Sequence, residues 1–299
     1  VKLSEGCNQS CSFCVIPSFK GKLHSRTLES LVKEVTNLVK KGYKDFSFVS
    51  QDSSSYLRDL GHNDGLEQLI DAVEKIDGVK TARILYLYPS TTTHNLIDKI
   101  ADSKVFVNYF DMPLQHISQN MLKIMKRGKG AEKLIELMNY MRSKPNSFVR
   151  TTFIAGHPGE SEEDFEELCS FVEEFGFDRG NVFSYSDEEG TSAETRDDKI
   201  EQELIDERAE ILGDIISQTT IKSLENDIGK SFEVYIDGES EEHEYLLSAR
   251  KTIWAPQIDG EIYINDNEDN IPIVFGEIYE VEATQLAGDK LLAKIIRKV

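Results

Sequence analysis

Up to about residue 228 the apolar positions switch back and forth between the spacing of a helix face and that of a strand. The segment LESLVKEVTNLVKKGY puts Leu28, Leu31, Val32, Val35, Leu38 and Val39 on one helical face and stops at Gly42, a plausible helix end. DFSFVS follows as a strand, then LEQLIDAVEKI as helix, TARILYLYP as strand, HNLIDKIAD as helix and VNYFDMPL as strand. Helices are predicted around Met121–Met125, over Glu132–Met141, over SEEDFEELCSFVEEF and over Asp198–Asn226, with FVRTTFIAG and NVFSYS as strands. Ser161 and Asp164 have the spacing of a capping box. With a short opening strand at Val1–Leu3 there are about six strand–helix units, a pattern that builds a parallel sheet with helices outside it. The expected fold is α/β, a partial (βα)6 barrel of TIM-like type, with its chemistry at the C-terminal ends of the strands. The candidate motifs fall there: the cysteine loop after the first strand, SQDSSSY after the second, PLQH after the fourth and GHPGE after the fifth.

From about Ile228 the period changes. SFEVYIDG alternates Phe232, Val234 and Ile236 with Glu233, Tyr235 and Asp237, as in a half-buried strand. EYLLSAR, EIYIND, EIYEVEAT and KLLAKIIRK continue as short strands, which predicts a small antiparallel β-barrel. The domain division is therefore set at 1–228 and 229–299. The acidic, turn-rich stretch around 186–198 reads as a solvated loop.

At 299 residues the chain suits one large and one small domain. No run of about 18 apolar residues suggests a membrane span, and VKLSEGCNQS lacks the apolar stretch of a signal peptide. The chain opens on Val1 rather than Met, close before its strongest motif, so it reads as a fragment of a longer protein or a processed product. Its 34 Lys and Arg against 54 Asp and Glu give a net charge of −20. That sign repels polyanions and argues against a nucleic acid partner, while favouring a basic one.

Four cysteines are too few for a disulfide framework in a chain this long and point to a reducing compartment, the cytoplasm, and to a metal site. Cys169 lies on the apolar side of a helical pattern with Phe165, Leu168 and Val172 and reads as a buried core thiol. Cys7, Cys11 and Cys14 have C-x3-C-x2-C spacing on a loop after a strand. Three thiolates can hold three irons of a 4Fe–4S cluster and leave the fourth open to S-adenosylmethionine. The competing reading is zinc with His24 as fourth ligand, although structural zinc usually uses paired knuckles of closer spacing.

With Phe13 just before the last cysteine, CNQSCSFC resembles the signature of the radical S-adenosylmethionine superfamily. The segments EGCNQSCSFCVIPSFKGKLHSR, DMPLQHISQNMLKIMKR and TTFIAGHPGESEEDF resemble the narrower methylthiotransferase family, and the C-terminal strands stand where that family has its TRAM domain, an OB-like barrel. The resemblance implies insertion of a methylthio group at an unactivated C–H bond. One S-adenosylmethionine serves as methyl donor, and another is cleaved to a 5′-deoxyadenosyl radical with an electron from an external donor. It also implies a further N-terminal domain with a second cluster, not represented in this sequence.

The same resemblance suggests Gln51 and Asp52 for the methionine amino group, and Gln115 and His116 for the ribose or the substrate pocket. Ile154, Gly156 and Glu160 would pack on adenine, where the glycines at 156 and 159 allow close approach. His157 stands where an aromatic is expected. Arg127 and Arg150 are candidates for the cofactor carboxylate. Each of these residues also has a plain structural reading as a cap, turn or rim ion pair.

Two branches of the family differ in substrate, a tRNA adenosine for the MiaB-like branch and an aspartate of small-subunit ribosomal protein S-twelve for the RimO-type branch. From Gly229 to Val299 there are seven Lys and Arg against fifteen Asp and Glu, a net of −8 that leaves −12 for residues 1–228. A tRNA reader should present a basic groove, and Arg250, Lys251 and Trp254 form the only basic–aromatic cluster of the domain. The charge therefore favours the RimO-type branch and a basic ribosomal protein partner. A MiaB-like enzyme, or a metal-stabilised binding module without catalysis, remains the alternative.

Overall fold

The computed structural model describes residues 1–128, 130–267 and 270–299. It divides into two compact units, Val1–Ile216 and Ser217–Val299. The first opens with β1 (Ser4–Glu5), runs through the cysteine loop and the short helix α1 (Ile16–Lys20), and returns as β2 (His24–Ser25). These two strands pair antiparallel, Ser4 opposite Ser25 and Glu5 opposite His24, which closes the base of the loop. Then come α2 (Leu28–Lys40), β3 (Asp45–Phe48), α3 (Gly65–Val73), β4 (Thr81–Ile84), α4 (His94–Ala101) and β5 (Phe106–Asp111). They are followed by α5 (Gln119–Ile124), α6 (Ala131–Arg142), β6 (Phe148–Ala155), α7 (Glu162–Phe175), β7 (Arg179–Ser184) and α8 (Gln202–Glu225), within which the two units divide.

Strands β3 to β7 form one parallel sheet in sequence order. The expected opening strand joins it as a single parallel bridge from Lys2 to Val49, with backbone bonds Leu3 N to Val49 O and Val49 N to Val1 O. This is the open six-unit barrel that the alternating periods predict. Four of its helices begin where a side chain satisfies free N–H groups. Thr27 caps α2, Thr93 caps α4 and Ser118 caps α5, while Ser161 and Asp164 complete a reciprocal capping box on α7. The buried faces are those the periodicity marked: Leu31 and Val35 of α2, and Phe165, Leu168 and Val172 of α7.

Three expectations are corrected. TARILYLYP is strand only to Ile84, because Tyr86 takes a left-handed φ of 62° and its N–H donates to the Asp111 carboxylate at 3.0 Å. The last helix starts at Gln202 rather than Asp198, whose carbonyl accepts from Gly159 N–H at 3.0 Å and whose carboxylate holds Arg196. Cys169 packs against the core but stays partly exposed, at its margin rather than inside it. Burial and then the charge of Glu160 push its thiol up to about 11.

In the second unit β8 (Ser231–Glu239), β9 (Leu247–Lys251), β10 (Ile262–Asp266), β11 (Ile278–Ala287) and β12 (Lys290–Lys298) close a barrel in the order β10-β12-β11-β8-β9. Four of its junctions are antiparallel and the fifth, β10 with β12, is parallel. Tyr235, expected on the polar face of its strand, is 2 % exposed. Arg250 on the neighbouring strand covers its ring at 4.6 Å and pairs with Asp237 at 3.0 Å. Trp254 is buried too, and Lys251 pairs with Asp227. The cations of the basic–aromatic cluster are thus paired with acids of the same unit, Arg250 with Asp237 and Lys251 with Asp227. Among the described residues no helix is long and apolar enough to cross a membrane.

The cap of α7 provides a test of the fold. Ser161→Ala should lower unfolding free energy by about 1 kcal/mol in urea denaturation. Asp164→Ala should cost more, because that carboxylate also binds Ser118 Oγ and Asn120 Nδ2.

Candidate functional site

A cleft of about 350 Å³ opens at the C-terminal ends of the parallel strands. Cys7, Cys11 and Cys14 all line it, together with Gln9 and Phe13 from the same loop. Gly6 sets the approach to the first cysteine. Its φ is +77°, and a Cβ there would lie 2.3 Å from the Lys22 carbonyl oxygen, so no larger residue fits the turn. The loop is then pinned along its length. Cys7 N–H donates to Gly21 O at 3.2 Å, Leu23 N–H to Asn8 Oδ1 at 3.0 Å and Ser12 N–H to Met125 O at 3.0 Å.

His157 supplies a further clamp from the GHPGE turn. Its Nδ1 lies 2.9 Å from the Pro158 carbonyl, which can only accept, so Nδ1 carries the proton and Nε2 accepts from Ser12 Oγ at 3.0 Å. The ring meets Phe13 and Tyr185 edge-on, at centroid distances of 6.2 and 5.1 Å. The imidazole thus does the packing expected of an aromatic at this position while adding a hydrogen bond. Burial lowers its pKa below the ordinary 6.5.

Burial pushes the Cys7 thiol up to about 11 and raises that of Cys14, while a backbone N–H moderates each, from Gln9 and Ile16 respectively. Both are neutral thiols near pH 7 until a metal displaces their protons. Among the described residues no group of three or more His, Cys, Asp or Glu is arranged to hold one ion, and His24 is exposed on β2. Three thiols lining one cleft can each supply a thiolate to a different iron of a multi-iron cluster.

Of the other candidates, Gln51, Gln115, Arg127 and Arg150 line the same cleft. The side-chain oxygens of Gln51 and Gln115 are buried and accept no hydrogen bond, a costly state that suits a ligand bearing N–H donors. Gln115 sits at φ 72°, its backbone bridging Thr152 and Ile154 of β6. Arg150 is held to Asp111 at 3.1 Å. The remaining five are not on the cleft wall. Asp52 accepts from Gln9 Nε2, Ser54 Oγ and Ser55 Oγ at 2.8, 2.9 and 2.7 Å, which commits its carboxylate to the loop after β3.

His116 is fully buried, its Nδ1 accepting from the N–H groups of Ile117 and Ser118 at 2.9 and 3.0 Å. Its Nε2 stands 3.2 Å from Glu160 Oε1, off the line of a good hydrogen bond. Glu160 Oε2 accepts from Gly156 N–H at 2.9 Å and Arg208 Nη1 at 2.8 Å. A Cβ at Gly156 would approach Ile205 to 2.5 Å. Ile154 is tied through its N–H to Gln115 O at 3.0 Å. Sequence reasoning did not single out Tyr86, Tyr88, Thr152, Asn181 and Phe183, which also line the cleft, or Arg208, which neutralises Glu160. The tyrosines are alternate residues of TARILYLYP and carried a weak signal. Arg208 lies 48 residues from Glu160 and carried none.

Residues 1–172 match the Radical SAM superfamily and residues 228–296 the TRAM domain. The chain is 79 % identical over 299 residues to "Ribosomal protein uS12 methylthiotransferase RimO" of Aliarcobacter butzleri, covering 99 % of this chain and 67 % of that protein. It is 61 % identical to the protein of the same name from Sulfurovum sp., covering 100 % and 67 %. With Campylobacter jejuni RimO it shares 54 % identity over 100 % of this chain and 68 % of the relative. Among solved structures, coproporphyrinogen III oxidase (HemN) from Escherichia coli, a radical SAM enzyme, aligns at TM-score 0.56 and 16 % identity, over 71 % of this chain and 50 % of that one. The radical S-adenosylmethionine methyltransferase TsrM from Kitasatospora setae aligns at 0.52 and 18 %, over 65 % and 38 %. These two likenesses establish a shared fold. By its family matches and its identity to these relatives, the chain belongs to the radical SAM superfamily and, within it, to the RimO family of methylthiotransferases.

Proposed function

We propose that this chain holds one 4Fe–4S cluster on Cys7, Cys11 and Cys14, binds S-adenosylmethionine in the cleft beside it, and works in methylthiolation of ribosomal protein uS12 in the cytoplasm. The observation that carries this reading is the lining of one cleft by three thiols and two unpartnered buried amide oxygens, in a chain 79 % identical to a RimO protein. When bound, the cluster supplies the electron that cleaves the sulfonium cofactor. The chain's own residues bind, orient and exclude water. Gln51 and Gln115 offer acceptors for the cofactor's amino group, and Arg150, steadied by Asp111, brings positive charge for its carboxylate. Phe13, Tyr86 and Phe183 give the cleft apolar walls. Asp52, His116, Ile154, Gly156 and Glu160 act one step back, by fixing the loops from which the others project.

Residues 229–299 are proposed as the recognition domain, with 1–228 as the radical domain. Glu239, Glu241 and Glu244 are exposed beside the end of β8, whereas Glu242 is engaged by Lys290 at 2.7 Å and by Tyr263 at 2.5 Å. The free acids suit a basic protein surface and do not suit a phosphate backbone.

Anaerobic reconstitution should load one cluster per chain, counted by iron and sulfide analysis. Cys7→Ala, Cys11→Ala and Cys14→Ala should each abolish it, and Cys169→Ala should leave it intact. Loss of iron from Cys169→Ala equal to that from Cys11→Ala would refute the three-thiolate assignment.

The His157 clamp has a signed pH dependence. Its folded-state pKa lies below 6.5, so its contribution is full above that pH and shrinks as pH falls through the folded value. Denaturation of wild type and His157→Gln should therefore show a stability gap that is constant above pH 6.5 and closes on acidification.

Charge reversal of Glu239, Glu241 and Glu244 to Lys should slow association with uS12 at low salt. The effect should fade past ~0.15 M, where the Debye length is about 8 Å. Tight binding of tRNA in place of uS12 by the unaltered protein would overturn the substrate assignment.

A further inference from the structure

Arg127 is 7 % exposed, and among the described residues no carboxylate pairs with it. A buried guanidinium normally has a counter-charge, so the side chain implies an anion that the folded chain does not otherwise supply. The backbone delivers it deliberately. Lys126 and Gly128 on either side take left-handed φ values of 54° and 78°, and Arg127 N–H donates to Leu122 O at 2.7 Å, so the turn after α5 aims the side chain inward. One Nη donates to the Pro113 carbonyl, the guanidinium lies 4.2 Å from the centre of the Tyr88 ring, and the other Nη reaches Cys11 Sγ at 3.4 Å. The Tyr88 hydroxyl is 3.7 Å from the same sulfur. Cys7 and Cys14 meet backbone N–H groups instead. Of the three sulfurs, Cys11 is the one flanked by a fixed cation and a phenol.

We propose that Arg127, with the Tyr88 hydroxyl, is a positioning residue that hydrogen-bonds the Cys11 thiolate and raises the reduction potential of the cluster. This rests on the ligand assignment made above. The cluster gains negative charge on reduction, so a fixed positive charge and hydrogen bonds at a ligand sulfur favour the reduced form. Arg127 is thereby reassigned from the cofactor's carboxylate to the cluster's own ligand, leaving Arg150 for the carboxylate.

The test is an EPR-monitored redox titration of the reconstituted protein without S-adenosylmethionine, beside its affinity for the cofactor. Arg127→Gln should retain iron while its reduced-to-oxidised ratio at a fixed potential falls about tenfold, ~59 mV for a one-electron couple. Tyr88→Phe should move it the same way by less, and Arg127→Lys should restore most of the loss. An unchanged potential in Arg127→Gln with weakened cofactor binding would overturn the proposal and return Arg127 to the carboxylate. Should Arg127→Gln fail to hold iron, loading by Arg127→Lys supports the charge argument, and failure of both identifies a packing role and refutes it. A wild-type chain that holds no cluster would refute the ligand assignment instead.

Discussion

Glu160 is a carboxylate with no exposed side-chain surface, and the arrangement of the strand ends depends on how its charge is met. Arg208 of α8 binds one oxygen and also the Glu160 carbonyl, Gly156 N–H donates to the same oxygen, and His116 faces the other. The loops after β5 and β6 and the helix α8 are thereby held by one anion. Removing a single partner from such a group strands a charge away from water, which typically costs about 3–5 kcal/mol. The gain is geometric. The turn that presents His157 to Ser12 is the one Glu160 closes, so the buried ionic network and the cysteine loop form a continuous chain of contacts.

Much of this was legible in the sequence where chemistry is local. The cysteine spacing, the capping box at Ser161 and Asp164, and the alternation of periods each involve residues within a few positions of one another. What escaped was set by distance or by competition. Asp52 has the type and place of a cofactor ligand, but three nearby donors claim its oxygens. At Gly156 the direction a side chain would take is filled by Ile205 from α8, a contact set 49 residues along the chain. Tyr235 was placed outside by strict alternation and is buried because Arg250 covers it. No pattern of single positions reveals such pairings, since each depends on which strand or helix lies alongside.

Charge is used differently in the two units. Within the cleft, cationic side chains face inward, and Arg127 and Arg150 both reach its wall. In the barrel the potential recognition cations are neutralised, Arg250 by Asp237 and Lys251 by Asp227. The negative balance of residues 229–299 is therefore expressed at the surface by acids such as Glu239, Glu241 and Glu244, which remain exposed.

The parallel pairing of β10 with β12 has a consequence for any visiting chain. It joins the two ends of what would otherwise be an open ribbon, and every strand then has a neighbour on both sides. Along the stretches paired on both sides an extended peptide finds no row of unclaimed N–H and C=O groups to zip onto, so strand addition is closed to it there. Whatever the barrel holds along them must be gripped by side chains and loop tips, a mode in which sequence selectivity comes from the shape and charge of those few groups rather than from a shared backbone ladder.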